Sequence, residues 1–397
     1  MESKMRIGID IRGLLTGQRS GVEQYTLKLI EHLLQIDKDN TYVLFYVSYK
    51  NLDERMQNLI KAAPFLKQDN VEIKTLKWIN IPLLLHALWK PLEWPKVDKI
   101  CGGLDVMWLP SPRLLPVSSA CRLVITFHDL IFELFPQFYT WQSKLWQWQM
   151  NYSYLARKAD SIIAVSNSTK KDLIRLYGVD ANKIKIIYEG VDENYSYPIS
   201  HEIVNQTKEK FKITGKFIYY IGSLEPRKNI ISIIRALYYL KDEVKSEQFD
   251  KIKLVISGAK SWLSDAIFDE VKKLKLTQWV IFTGSVSEDE KIALLQSASI
   301  FVFPSLYEGF GLPVLEAMAA GCPVITSNVS SLPEVVDGAA ILINPDNQSE
   351  INLALEKLIT NQNFRHNLIT KGRLQAKKFS WMKAANYTLR VFTNGGT

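Results

Sequence analysis

Short runs of apolar and β-branched residues alternate along the chain with segments in which apolar residues recur at helical spacing. In the first half these runs are MRIGIDI, TYVLFYV, DVMWLP, RLVITFHDL, DSIIAVSN and KIKIIYEGVD. In the second half they are FIYYIGS, KLVISGA, WVIFTGSV, SIFVFPS, PVITSN and AILINP. Strands that alternate with helices in this way predict parallel sheets covered by crossover helices.

The alternation lapses once, over residues 193–215, and then restarts. A chain of 397 residues also exceeds the size at which one hydrophobic core keeps growing. We therefore predict an α/β protein with two doubly wound domains, residues 1–195 and 212–379, joined by a boundary or linker. Ligands of open α/β sheets bind beyond the carboxyl ends of the strands, so two such domains facing each other predict a cleft lined by those loops.

The segment 304–321, PSLYEGFGLPVLEAMAAG, places two carboxylates in apolar surroundings. Pro313 is suited to the first position of a helix, which puts Glu308 in the preceding loop and Glu316 in the first helical turn. A carboxylate can accept two hydroxyl hydrogen bonds from a sugar or ribose diol. Alternatively, Glu316 interacts with the helix dipole and Glu308 is a solvated loop residue that contributes little to packing. The joint pattern, with glycines between the two, favours a polyhydroxylated ligand.

A basic pair, Arg227 and Lys228, lies in IGSLEPRKNI, between a predicted strand and the helix that follows. Two cations at the positive end of a helix are unfavourable unless an anion binds there. The pair therefore predicts a site that neutralises a diphosphate, against the alternative of a solvated charged turn.

His128 and Asp129 end a strongly apolar strand of the first half. At a strand end His128 can contact a sugar hydroxyl or the reacting centre, and Asp129 can orient it or meet the acceptor. The alternative is a partly buried histidine beside a helix-capping aspartate. Earlier in the chain, Gly17 and Gly21 flank a loop that leads into the first helix, where backbone amides can approach a phosphate. This loop matches neither the dinucleotide-binding nor the P-loop pattern.

Composition narrows the classes of partner. Lys and Arg number 49 against 41 Asp and Glu, a net charge of +8, which suits a nucleotide, a phospholipid surface or a nucleic acid, or a merely basic soluble protein. The histidines are scattered and no His/Cys/Asp cluster has ligand spacing, so we predict no metal. No signal-peptide or membrane-spanning stretch is visible, and the expected location is the cytoplasm.

Tryptophan is concentrated in two stretches that also contain lysine. Such aromatic and basic mixtures suit a membrane interface or a lipid-linked acceptor, which predicts peripheral contact with the cytoplasmic face of the inner membrane. The alternative is that these helices pack on their own domain. The residues are Trp78, Trp89, Trp94, Trp141, Trp146, Trp148 and, nearby, Trp108.

Taken together, these motifs resemble the retaining, nucleotide-sugar-dependent glycosyltransferases of family 4, over nearly the whole chain. EGFGLPVLE is the most specific element. The resemblance implies the GT-B fold of two facing Rossmann-like domains. It also implies that Glu308 contacts the donor hexose and that Glu316 binds the ribose hydroxyls. The loop that lines the sugar and phosphates would be Gly309, Phe310, Gly311 and Leu312.

The same resemblance places Arg227 and Lys228 on the donor diphosphate and His128 near the transferred sugar. Residues 380–397 would form a last helix that packs back on the N-terminal domain. The loop against the nucleobase would be FTGSV, including Gly284 and Val286.

Two positions depart from the family pattern. Many members have arginine where this chain has Ser223, so Arg227 would take more of the phosphate role. The common Asn-Gly-Val-Asp turn begins here with Glu189, whose purpose the sequence leaves open. The forms GSLEPRKN and GAKSWLSDAIF are most similar to bacterial enzymes that transfer mannose from GDP-mannose in O-antigen or other surface polysaccharide assembly.

The expected function is therefore transfer of a hexose from a nucleotide diphosphosugar to a glycan or lipid-linked acceptor hydroxyl, with no cofactor and no nucleic acid partner. Three alternatives stay open: a UDP-sugar donor, a nucleotide-sugar epimerase of the same fold, and a catalytically silent nucleotide-sugar binder. An epimerase would convert the donor without an acceptor, and a silent binder would release no nucleotide.

Overall fold

The computed structural model describes residues 4–16, 21–48, 52–77, 92–141, 144, 147, 150–243, 251–261 and 263–393. The chain forms two compact units. One comprises Met1–Gly190 together with Trp381–Thr397, and the other comprises Val191–Ser380.

The N-terminal unit is built on a parallel sheet with the strand order β3-β2-β1-β4-β5-β6-β7. The order reverses direction between β1 and β4, which makes this pair the switch point of the sheet. The strands are β1 (Arg6–Asp10), β2 (Thr41–Ser48), β3 (Val71–Lys77), β4 (Val106–Leu109), β5 (Arg122–Phe127), β6 (Ser161–Ala164) and β7 (Ile184–Ile186).

Helices cover this sheet, and their ends follow ordinary capping rules. Ser166 caps the helix Asn167–Tyr177 by accepting the Thr169 amide, and Gly178 ends this helix with a φ of 64°. The C-terminal helix Trp381–Thr393 packs on α1, and the ring of its buried Trp381 meets Tyr25 edge-on. The other helices are α1 (Gly21–Ile36), α2 (Leu52–Ala62), α3 (Val97–Ile100), α4 (Ile131–Leu134), α5 (Tyr152–Lys158) and α6 (Asn167–Tyr177).

The second unit has a parallel sheet with the order β10-β9-β8-β11-β12-β13, so its switch point lies between β8 and β11. Its strands are β8 (Phe217–Ile221), β9 (Lys253–Ser257), β10 (Val280–Gly284), β11 (Ile300–Phe303), β12 (Val324–Ser327) and β13 (Ile341–Ile343). Its helices are α7 (His201–Lys210), α8 (Ile230–Tyr238), α9 (Asp265–Lys273), α10 (Glu288–Ser297), α11 (Leu312–Ala319), α12 (Leu332–Val336), α13 (Gln348–Thr360) and α14 (Gln362–Ala376).

The boundary differs from the predicted one, because residues 191–211 belong to the second unit and are structured. Helix α7 packs against α10, and the Gln296 side chain accepts from the Ile199 amide at 3.0 Å and donates to the Tyr197 carbonyl at 2.7 Å. Tyr195 is buried, and its carbonyl accepts from the Gln296 side chain of α10 at 3.2 Å. The polar composition of this stretch resembled a linker because most of α7 faces solvent.

The seven tryptophans that were predicted to lie at a membrane interface fall into three groups. Trp108 lies in the core, fully buried, and its indole donates to Thr126 at 2.9 Å, so the expected interfacial role is wrong for this residue. Trp94 and Trp141 are 59% and 71% exposed. The remaining predicted interfacial residues, Trp78, Trp89, Trp146 and Trp148, lie outside the described residues. Among the described helices, none is long and apolar enough to cross a membrane.

Candidate functional site

The switch point of the second sheet brings together the loops after β8 and β11. Glu308, after β11, lies 2.6 Å from Lys228 Nζ and 3.1 Å from an Arg227 Nη atom, both after β8. All three side chains are largely buried. In this structure protein carboxylates supply the anions that the basic pair requires: Glu308 contacts both cations, and Arg227 is also 2.7 Å from Glu225.

The basic pair lies between β8 and α8, in a 3-10 turn that precedes the helix (Pro226–Lys228). Asn229 adopts a left-handed conformation with a φ of 53° and separates this turn from α8. The Arg227 carbonyl accepts the Leu306 amide at 2.8 Å, and its guanidinium donates to the Tyr307 carbonyl at 3.2 Å. Backbone contacts thus join the two loops independently of the ion pairs.

Charge and burial oppose each other at Glu308. Burial by itself would raise the pKa of Glu308, but Lys228 and Arg227 outweigh it and hold the pKa below its ordinary value. Burial, and then the neighbouring Arg227, lower the pKa of Lys228, although Glu308 opposes both. Glu308 is therefore an ionised carboxylate between two buried cations, one of which, Arg227, also pairs with Glu225. Glu308 is not the solvated residue of the alternative interpretation, and its removal would leave buried charge behind.

The loop after Glu308 is held in place by the hydroxyl of Ser331. The Ser331 hydroxyl lies 3.0 Å from the carbonyl oxygen of Glu308 and 2.8 Å from that of Phe310, and its single hydrogen is shared between the two. The Phe310 ring is buried against Phe379, so this residue contributes packing as well as backbone. Gly311 has a φ of 108°, and a Cβ there would lie 2.7 Å from Leu332, which requires glycine. The loop is therefore fixed in place before the helix.

Helix α11 begins at Leu312, one residue earlier than predicted, so Glu316 lies beyond the first turn. Its buried carboxylate accepts from Lys291 Nζ at 2.9 Å, and the same amine is 3.2 Å from Glu288. Tyr195 donates its hydroxyl to Glu288 and also interacts with Glu316. Burial raises the pKa of Glu316, and Lys291 offsets this only in part. Helix-dipole contact is thus not its main interaction.

The residues predicted to meet a nucleobase lie at the end of β10 and directly after it. Gly284 ends the strand with a φ of 70° and is exposed, and Val286 is half-buried. Ser287 then caps α10 through a capping box with Glu290. Helix α10, which carries Lys291, therefore begins directly after this loop.

In the N-terminal unit, His128 and Asp129 both engage protein groups. His128 Nε2 is 2.9 Å from the carbonyl oxygen of Pro110, and its Nδ1 is 3.4 Å from Glu189. A carbonyl oxygen only accepts, so Nε2 carries the hydrogen in this contact. The carboxylate of Asp129 accepts the Ile131 amide at 3.2 Å, at the start of α4. Glu189, unexplained by sequence, is a buried partner of the histidine.

The predicted glycine loop is described only in part. Gly21 begins α1, and a Cβ there would meet nothing within 4 Å, while Gly17 lies outside the described residues. Over the described chain, no group of three or more His, Cys, Asp or Glu side chains is arranged to hold a metal ion.

Lys291 and Tyr195 were missed by the sequence interpretation, although one signal was available. Lys291 stands one turn before the apolar Leu295 in a short helix, so it falls on the buried face. A lysine on a buried face requires a carboxylate partner, and Glu316 is that partner. Tyr195 carried no comparable signal, because it lies in the stretch that resembled a linker.

Comparison with known proteins gives consistent matches along the chain. The family profile of group 1 glycosyl transferases matches residues 203–375, and that of glycosyltransferase family 4 matches residues 19–195. O-antigen chain mannosyltransferase B of Escherichia coli is 30% identical over 387 residues, which cover 94% of this chain and 96% of that protein. O-antigen chain mannosyltransferase RfbU of Salmonella typhimurium is 28% identical over 85% of this chain and 87% of its own length.

Solved structures share the fold at low sequence identity. The Anabaena protein HepE, in complex with UDP and glucose, has a TM-score of 0.73 at 17% identity and covers 98% of this chain and 100% of its own. WaaG, a glycosyltransferase involved in lipopolysaccharide biosynthesis, has a TM-score of 0.69 at 15% identity over 98% of this chain and 99% of its own. The predicted fold and family are confirmed: the chain is a glycosyltransferase of the GT-B fold and belongs to the group 1 glycosyltransferases of family 4.

Proposed function

We propose that this enzyme transfers mannose from GDP-mannose to a hydroxyl of a glycan or lipid-linked glycan, with retention of configuration, in bacterial surface polysaccharide synthesis. The relatives named as O-antigen mannosyltransferases support the sugar and the pathway. The observation that carries the proposal is the pairing of Glu308 with Arg227 and Lys228 at the switch point of the second sheet.

Each group there has a proposed task. Arg227 and Lys228 bind the diphosphate and stabilise the charge that develops as it leaves. Glu308 accepts hydroxyls of the mannose, Glu316 accepts those of the ribose, and the loop after β10 packs on the base. Arg227 and Lys228 are the cations proposed for the diphosphate, so the proposal includes no metal ion. Activity that persists in excess EDTA is the corresponding expectation.

The proposed reaction breaks the bond between the anomeric carbon and the phosphate oxygen. The acceptor oxygen attacks the same face, and its proton passes to the departing phosphate. In the N-terminal unit, His128 contacts substrate and Asp129 orients the helix start that follows it. Lys228 and Arg227 supply much of the acceleration, because they are preorganised in a site with little water.

The test is incubation with GDP-mannose and a mannoside acceptor, with GDP release measured and the product anomer assigned by NMR. An α-linked product supports retention, and a β-linked product contradicts it. Conversion of the donor without acceptor would identify an epimerase, and binding without GDP release a silent binder. A parallel reaction with UDP-glucose is included because HepE was solved with UDP and glucose.

We also propose peripheral contact with the inner membrane, supported by the exposed rings of Trp94 and Trp141. Flotation with anionic vesicles at low salt should carry the protein upward, and the Trp94→Ala/Trp141→Ala double variant should float less. No flotation of the wild type would reject membrane contact and leave the transfer reaction unaffected.

A further inference from the structure

The switch point of the N-terminal sheet carries two arginines that the reaction above does not use. Arg12 follows β1, and Arg113 follows β4 on the adjacent strand. In an open parallel sheet this is the position at which ligands bind. The equivalent position of the second sheet holds Arg227 and Lys228, whose charges meet Glu308.

Arg12 is fully engaged by the protein. Its guanidinium forms two parallel contacts with Asp10, at 2.7 and 2.9 Å, and a third with the carbonyl of Leu114 at 3.1 Å. Burial alone would raise the pKa of Asp10, but Arg12 outweighs it and holds the pKa below its ordinary value. Asp10 is therefore already neutralised by Arg12.

Arg113 differs, since its guanidinium makes no hydrogen bond and no ion pair with any residue in the described part of the chain. It is partly buried beside Gly13, where an added Cβ would lie 3.4 Å from one of its terminal nitrogens. Asp10 and Glu23 attract it only from beyond ion-pair distance, and burial lowers its pKa. A partly desolvated guanidinium with five donors and no acceptor is costly unless a ligand supplies the oxygens.

A second donor, Tyr152, interacts electrostatically with Arg113. The Tyr152 hydroxyl, on the first residue of α5, likewise has no hydrogen-bond partner among the residues described. Its ring is held edge-on by Phe127 and Phe132, which fixes where the hydroxyl points. Burial, and then Asp129, raise the pKa of Tyr152 to about 12, so the hydroxyl keeps its hydrogen. Asp129 itself accepts the Ile131 amide.

We propose that Arg113 and the Tyr152 hydroxyl form an anion subsite in the N-terminal unit, which binds a phosphate group carried by the acceptor. A planar guanidinium and a phenol donor together match the oxygens of a phosphate ester. The assignment to the acceptor rests on the proposed function, in which Arg227 and Lys228 already hold the diphosphate of the donor. The phosphate belongs either to a lipid carrier or to a phosphorylated sugar.

Binding of inorganic phosphate tests the subsite without any transfer reaction. The titration is run calorimetrically in saturating GDP, with wild type, Arg113→Gln and the control Arg175→Gln, which removes an exposed arginine of the same unit. Arg113→Gln should weaken phosphate about tenfold or more, whereas the control should match wild type. Equal affinities for wild type and Arg113→Gln, or loss of wild-type phosphate binding once GDP is present, would overturn the subsite.

Steady-state kinetics then tests whether the bound phosphate belongs to the acceptor, and whether it comes from a lipid or from a phosphorylated sugar. Three acceptors are compared: mannosyl dodecyl phosphate, dodecyl mannoside and methyl mannoside 6-phosphate. Wild type should prefer a phosphate-bearing acceptor, and the better of the two identifies a lipid phosphate or a sugar phosphate. Arg113→Gln should lose that preference through a KM about 10- to 100-fold higher, Arg113→Lys should restore part of it, and Tyr152→Phe should cost about 3- to 10-fold.

Slow GDP release without acceptor should be the same in all these variants. A wild type that uses dodecyl mannoside as well as the phosphate acceptors, or an Arg113→Gln variant whose defect lies in the KM for GDP-mannose, would overturn the acceptor assignment. Absence of transfer from every nucleotide sugar would defeat the proposed function instead, and the phosphate titration would still decide the subsite.

Discussion

Glu308 and Glu316 are both buried carboxylates that accept from a buried lysine, yet their surroundings act in opposite directions. Glu308 faces two cations at the switch point, and its pKa is lowered despite burial. Glu316 faces one cation, Lys291, which it shares with a second carboxylate, Glu288, and its pKa is raised by burial. The same residue type is therefore held charged in one place and brought closer to neutrality in the other.

The difference shows that the number of cations around a carboxylate, more than its burial, sets its state. Glu308 is suited to a site that binds phosphate, because it holds Arg227 and Lys228 in place before the diphosphate binds. Glu316, with Tyr195 and Lys291 around it, is suited to neutral hydroxyls. The following changes test this contrast, from the largest expected effect to the smallest.

Glu308→Gln should reduce transfer at least about a hundredfold. The sugar loses a charged hydrogen-bond acceptor, and Lys228 and Arg227 lose the carboxylate that positions them. The measurement is kcat for GDP release with acceptor. The far-ultraviolet circular dichroism of the variant is the control for folding. Wild-type kcat in a folded Glu308→Gln variant would contradict the assignment.

Lys228→Met should lower the free energy of unfolding by about 3–5 kcal/mol, since it leaves a buried carboxylate with less compensation. Urea denaturation measures it, and Glu308→Gln in the same background should recover part of the loss. The matched control is Lys378→Met, at the exposed Lys378–Asp337 pair, with an expected change below about 1 kcal/mol. Equal losses at the two lysines would remove the distinction between buried and exposed pairs.

Lys291→Met should cost about 2–3 kcal/mol and should also weaken GDP binding, because Glu316 and Glu288 lose the cation that they share. Lys291→Arg keeps the charge and should lose less. Denaturation and GDP titration on the same samples measure both effects. Unchanged GDP affinity in Lys291→Met would separate this cluster from the nucleotide site.

Acidification should distinguish the two glutamates by sign. A lowered folded-state pKa means that Glu308 stabilises the fold above the ordinary glutamate pKa, about 4.3, and that this contribution is lost as the pH falls through the folded value. A raised pKa means that the contribution of Glu316 is present at low pH and is lost as the pH rises through its folded value. Denaturation between pH 3 and 8 should therefore show Glu308→Gln losing less stability than wild type on acidification, and Glu316→Gln losing less on alkalinisation. Parallel profiles for all three proteins would contradict both pKa directions.

The smallest effect is expected at Ser287, which caps the helix that carries Lys291. Ser287→Ala should cost about 1 kcal/mol, because the Glu290 amide loses its acceptor. Ser287→Thr should retain most of the stability. A loss above about 3 kcal/mol would contradict this prediction, because it would show that Ser287 stabilises more of the unit than the start of α10.

The sequence predicted the two parallel sheets, because the local spacing of apolar residues identifies each strand and helix. It placed Glu308, Arg227 and Lys228 in loops that follow strands, but it did not predict that the carboxylate would pair with the two cations. It could not predict the state of Glu316, which depends on how α10 presents Lys291. Residues 193–215 were misread because a solvent-facing helix and a linker have similar composition. Arg113 carried no local signal, since the lack of a partner is visible only in three dimensions.

The most direct test of the division between the two glutamates is the affinity of wild type, Glu308→Gln and Glu316→Gln for GDP-mannose and for GDP, measured by calorimetry. Glu308→Gln should keep or improve its affinity for GDP, because Lys228 loses its carboxylate partner, and should lose the advantage of GDP-mannose over GDP. Glu316→Gln should weaken both ligands by the same factor. If Glu308→Gln weakened GDP as much as GDP-mannose, or if Glu316→Gln left GDP unaffected, the assignment of Glu308 to the sugar and Glu316 to the ribose would be contradicted.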